Sequence, residues 1–72
     1  MRERTYTVLI EQDETGALIA RVPDLRGCHT HARTMPVLLK RVQEAIKLCL
    51  DVEGKHAKPL RFVGVQQVRI AL

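Results

Sequence analysis

The apolar residues recur with period two in the first third of the chain, with helical spacing in the middle, and with period two again at the end. From Thr5 to Asp13 the sequence alternates, with Tyr6, Val8 and Ile10 on one side and Thr5, Thr7, Leu9 and Glu11 on the other. That spacing predicts a half-buried strand. Asp13-Glu14-Thr15-Gly16 reads as a hairpin loop in which Gly16 supplies a positive φ. A returning strand follows over Ala17 to Val22, with Leu18, Ala20 and Val22 on one face. Pro23 lacks the N–H a ladder needs and ends it. Asp24-Leu25-Arg26-Gly27 turns the chain into a short third strand, Cys28 to Ala32. Its alternation sets Cys28 and Thr30 against His29 and His31.

Thr34 is a good helix N-cap, and Pro36 is tolerated in the first turn, where its missing N–H has no intrahelical partner to lose. Met35, Leu38, Leu39, Val42, Ala45, Ile46, Cys49 and Leu50 then make one apolar stripe. The helix is predicted from about Met35 to Glu53, with Gly54 as its C-cap and Lys55 to Pro59 leading onward. From Leu60 to Leu72 alternation returns. Val63 and Val65 share one phase, and Val68, Ile70 and Leu72 share the other. The slip at Gln66-Gln67 marks a bulge or break. The expected fold is therefore α+β, in the order β-β-β-α-β, with a single helix packed on a mainly antiparallel sheet. Such a sheet keeps an open face and an open edge. A homodimer or larger homo-oligomer is expected, with the last strand supplying the contact.

Length sharpens that expectation. A 72-residue chain makes one domain, 1–72, and buries only about 60% of its unfolded surface, so association is a usual source of extra stability. The 46% apolar and 28% charged residues are ordinary for a folded domain. Cys28 and Cys49 form no CxxC pair and read as buried thiols in a reducing compartment, which places the chain in the cytoplasm. No signal-peptide core or long apolar run is present, so no membrane association is expected. Tyr6 and Phe62 are the only aromatics, too few for a base-stacking platform. Twelve basic and eight acidic residues give +4. That balance permits nucleic acid without requiring it, because the basic residues are scattered.

Two stretches resemble a known family. Tyr6-x-Val8-x-Ile10-Glu11-x-Asp13-Glu14-x-Gly16 is similar to the opening of the HicB-like antitoxins. Ala20-x-Val22-Pro23-Asp24-Leu25-x-Gly27-Cys28-x-Thr30 resembles their most distinctive signature, with Arg26 where a second proline stands. Thr34 and Glu44-Ala45-Ile46 fit the family's capped helix. The likeness covers about residues 4 to 50. It implies a partial ribonuclease-H-like β-β-β-α-β domain that binds a small HicA-type RNA-cleaving toxin and masks its surface. Many members carry a further DNA-binding domain, which is not expected here.

Glu11 and Asp13 share a strand phase, and Asp24 and Glu44 lie in the core motifs. Two-metal phosphodiester cleavage would need such carboxylates to converge. Otherwise Glu11, Asp13 and Glu14 are a solvated strand end and turn. His29-x-His31 places two imidazoles on one strand face, a possible pair of zinc or copper ligands, but a third ligand at useful spacing is missing. No His or acid is placed to activate the Cys28 or Cys49 thiol, and both read as core fillers. Lys40, Arg41 and Lys47 suit either a phosphate-contacting patch or a solvated helix face. The reading is a protein-binding domain with no catalytic residue, metal or cofactor. Its expected partner contacts are Asp24, Arg26, His29 and His31. A nucleic-acid-binding module and a ribonuclease remain as alternatives.

Overall fold

Residues that alternate between apolar and polar pair into a sheet whose inner face can be read directly from its register. The computed structural model describes residues 3–53 and 60–72. Three antiparallel strands, β1 (Leu9–Gln12), β2 (Leu18–Arg21) and β3 (His29–Ala32), are followed by helix α1 (Met35–Glu53). The spatial order is β1-β2-β3. Ile10 stands opposite Ala20 and Ala20 opposite Thr30, while Gln12, Leu18 and Ala32 form the next row. Residues opposite one another share a face, so these rows are the inner face.

The helix lies on that face, over β3 and β2. No Cα of β1 comes within 8 Å of it. The buried core is Ala20, Val22, Leu25, Cys28, Ala32, Leu38 and Val42, with Tyr6, Val8, Leu18, Ala45, Ile46 and Cys49 packed around it. Among the described residues, Leu38 is the largest side chain that is fully buried. The α+β class, the single helix on an antiparallel sheet and the helix limits agree with the sequence pattern.

Both connections are built by short-range chemistry. In the β1–β2 loop the Asp13 carboxylate accepts from the Thr15 amide (2.8 Å), the Thr15 hydroxyl (2.6 Å) and the Ala17 amide (3.1 Å). Gly16 takes φ +90° there. In the β2–β3 connection Leu25 donates its N–H to Val22 and Cys28 donates to Leu25, both at 3.1 Å, and Gly27 takes φ +72°. That tight fold tucks the Leu25 side chain into the core.

Three expectations are corrected. The first strand is shorter than Thr5 to Asp13, because β2 offers no partner beyond Val22. Pro23 has no N–H to give, and the Val22 N–H goes to the Cys28 carbonyl at 2.9 Å. The apolar stripe is only half covered: Met35, Leu39 and Leu50 stay exposed, because three four-residue strands are too narrow to cover it. The predicted last strand makes no ladder, and residues 60–72 run without regular pairing among the described residues. The Gly54 cap and the Lys55 to Pro59 connection lie outside the described residues.

Candidate functional site

The helix covers one face of the sheet, and no helix among the described residues covers the other. Strand register puts Leu9, Arg21 and His29 in one row of that outer face and Glu11, Ile19 and His31 in the next. The face mixes two apolar side chains with charged and imidazole groups. Arg21 Nε lies 3.1 Å from Glu11 Oε1, a diagonal ion pair with both side chains more than half exposed. Such a pair contributes roughly 0–1 kcal/mol, and its main effect is to orient both groups across the strand boundary.

The four expected contact residues are placed as follows. His29 and His31 are exposed side by side on this face, as alternation in β3 requires. His29 Nδ1 sits 3.0 Å from the Gly27 carbonyl, which fixes its ring against the turn. Arg26 is exposed at the tip of the β2–β3 connection. Asp24 is half-buried, and its oxygens are already engaged. Its carbonyl accepts from the Leu60 amide at 3.2 Å and its carboxylate from the Phe62 amide at 2.8 Å. The turn and the histidine pair therefore border one another, with Asp24 facing the 60–62 segment.

Glu11, Arg21, Leu9 and Ile19 were not singled out by sequence reasoning. Only the register shows that they share a face with the histidines. A period-two count from either strand could have found them once β1 and β2 were aligned through the Asp13–Gly16 loop.

Glu11, Asp13 and Asp24 are each held by a different partner: Glu11 pairs with Arg21, Asp13 caps its own loop and Asp24 holds the Phe62 amide. No group of three or more His, Cys, Asp or Glu side chains able to hold a metal occurs among the described residues. The Thr15 hydroxyl bond above all holds the Asp13 carboxyl below its ordinary value of 3.8; desolvation opposes it, and the Thr15 and Ala17 amides and the Arg33 charge add to the lowering.

Two arginines fasten the far end of the sheet. Arg33 Nη1 donates to the Thr15 carbonyl at 2.9 Å, and Arg41 Nη1 donates to the His31 carbonyl at 2.8 Å. No described helix is long and apolar enough to cross a membrane.

The sheet thus carries one helix on one face and a mixed polar face on the other. The family model described as the HicB-like antitoxin of bacterial toxin–antitoxin systems matches residues 6–67. The chain is 43% identical to a UPF0150 protein of Archaeoglobus fulgidus over 65 residues, covering 90% of this chain and 93% of that one. It is 37% identical to a UPF0150 protein of Synechocystis sp. over 68 residues, covering 94% and 97%. A UPF0150 protein of Thermotoga maritima is 25% identical over 68 residues, covering 93% and 91%. The chain belongs to the HicB-like antitoxin family. That membership supports an antitoxin role, implies a toxin partner and favours binding over catalysis.

Proposed function

We propose that this chain neutralises a small HicA-type RNA-cleaving toxin by covering the toxin's RNA-binding surface with the outer face of its sheet. The observation that carries this reading is the bare face itself. Leu9, Ile19, Arg21, His29, His31 and Glu11 form a patch of mixed chemistry with no helix over it. Arg26 extends it at the turn. Interfaces of this kind use a small apolar centre with a polar rim. Ile19 is the half-buried centre here, and the charged and imidazole groups are the rim. Inhibition by occlusion needs no chemistry from the antitoxin, and Glu11, Asp13 and Asp24 are each engaged separately.

The test is capture from native lysate on the tagged full chain, followed by an RNA-cleavage assay of what is captured. The expected result is a basic protein of fewer than about a hundred residues whose ribonuclease activity returns on separation and disappears on re-addition of the chain. Two results overturn the proposal. One is a captured partner that cleaves RNA equally well with the chain present. The other is capture of nucleic acid alone, with affinity falling steeply with salt.

A further inference from the structure

The most unusual part of the molecule is the segment that was expected to be a strand and is not paired as one. Leu60 and Phe62 are pinned to Asp24, and Phe62 is half-buried. Beyond them the chain leaves the body. Val63 is 91% exposed, Val68 73% and Ile70 67%. The radius of gyration is 14.1 Å, against about 11 Å for a compact chain of this length. Residues 63–72, at about 3.3 Å each, reach roughly 33 Å.

An exposed segment of this composition needs a partner, and its pattern states which kind. Val68, Ile70 and Leu72 occupy alternate positions, so in extended form they present one apolar row. Arg69 points the other way. Beyond the slip at Gln66-Gln67, the stretch 67–72 therefore has one apolar and one more polar side, and it fits a sheet edge that offers a core-facing gap on one face and solvent on the other.

The body offers such an edge at β1. On the opposite margin, the helix lies over β3 and its Arg41 donates to the His31 carbonyl. On an α-helix, Leu39, Ile46 and Leu50 fall on the side opposite Arg41. They therefore lean towards β1, where no helix covers the inner face. Ile10 of β1 stays 41% exposed there, and Leu39 and Leu50 on the helix flank are exposed as well. This leaves an apolar slot between Ile10 and the helix flank, alongside an unpaired strand edge.

Charge agrees with shape. The stretch 9–15 carries Glu11, Asp13 and Glu14 and no basic residue. The arm from 60 to 72 carries Arg61 and Arg69 and no acidic residue. With Ile70 facing the slot, Arg69 falls on the outer face, on the same side as Glu11.

We infer that the 63–72 arm of one copy adds as a fourth strand to the β1 edge of a second copy, and that the exchange is reciprocal. Val68, Ile70 and Leu72 fill the slot beside Ile10 and the helix flank, and backbone hydrogen bonds complete the sheet. A reciprocal exchange is a closed two-fold arrangement, so it ends at the dimer. It uses the edge of the sheet and leaves the outer face open. The inference therefore stands apart from toxin binding, and the two are read by different assays.

The experiment places two cysteines in one full chain, Leu9→Cys on the edge and Arg69→Cys on the arm, in a Cys49→Ser background, with a short bismaleimide as cross-linker. The expected product has twice the chain mass, with residues 9 and 69 joined between copies. A link within one chain would mean that the arm folds onto its own edge, and no link would mean that it lies elsewhere. Either result overturns the inference. Sedimentation of Ile70→Glu gives an independent readout. The mass is expected to fall by half with the helical circular dichroism signal retained, and an unchanged mass would contradict the exchange. If that variant does not fold, the cross-link still decides.

Discussion

The Phe62 amide donates to the Asp24 carboxylate over 2.8 Å, joining positions 38 apart in sequence. The same residue's carbonyl takes the Leu60 amide. The β2–β3 turn thus serves as the mooring for the segment beyond the helix. Replacing Asp24 by alanine removes the side-chain acceptor, while asparagine keeps an oxygen in place. Asp24→Ala is expected to lower hydrogen-exchange protection at the Phe62 amide about fivefold, corresponding to about 1 kcal/mol for one such bond. Asp24→Asn is expected to retain most of it. Equal protection in both variants and the parent chain would show that the bond does not hold the segment.

Leu38 is the one large side chain with no exposure among the described residues, and it packs with Ala20 of β2 and Ala32 of β3 in the core. Leu38→Ala leaves a cavity in a small core, seven buried residues among those described. A loss of about 3 kcal/mol is expected, a large part of the roughly 4–10 kcal/mol available to a domain of this size. Leu48→Ala, on the exposed side of the same helix, is expected to change stability by less than about 0.5 kcal/mol. Urea midpoints for the two variants check the difference. Similar losses at both positions would contradict the core assignment.

Gly27 holds φ +72°, and a Cβ built there meets nothing within 4 Å. The cost of a side chain at this position is therefore a backbone cost alone. Gly27→Ala is expected to destabilise by about 1–2 kcal/mol, with Gly27→Asn costing less, because asparagine tolerates the left-handed region better. Thermal unfolding of both variants tests this, and an alanine variant as stable as the parent would show that the turn adopts another conformation in solution.

The depressed Asp13 carboxyl gives a pH dependence with a defined sign. Its folded pKa lies below the ordinary 3.8, through the Thr15 hydroxyl bond above all. The loop stabilisation is then complete above the unfolded value and is lost as pH falls through the lower, folded one. Between pH 5 and 8 this group contributes no slope. Following the Thr15 amide by NMR should give a titration midpoint below 3.8, and Thr15→Val should raise it. A midpoint at or above 3.8 would mean that the Asp13–Thr15 bonds are absent in solution.

Most of the fold was legible because local chemistry fixes it. Asp13 to Gly16 and Pro23 to Gly27 mark both turns, and Thr34 with the stripe through Val42 and Cys49 marks the helix. What period-two alternation cannot say is whether a partner strand exists. Thr5 to Val8 and Val63 to Leu72 both alternate. The first goes unpaired because Pro23 ends its neighbour, and the second because it projects from the body. The site was legible in half. His29 and His31 follow from β3 alone, whereas Leu9, Glu11, Ile19 and Arg21 join them only through cross-strand register. Asp24 shows the converse. Its place in the turn was plain, but its grip on Phe62 depends on a contact that no local pattern encodes.

The central claim, that the bare sheet face captures the toxin, is tested most directly by titrating RNA cleavage by a HicA-type toxin from the same genome with the full chain. The parent chain is expected to abolish cleavage at one chain per toxin. The double substitution His29→Ala with His31→Ala is expected to weaken inhibition about tenfold, or about 1.4 kcal/mol, with the fold retained by circular dichroism. Cleavage that the parent chain leaves untouched, or inhibition that outer-face substitutions leave unchanged, would contradict the account.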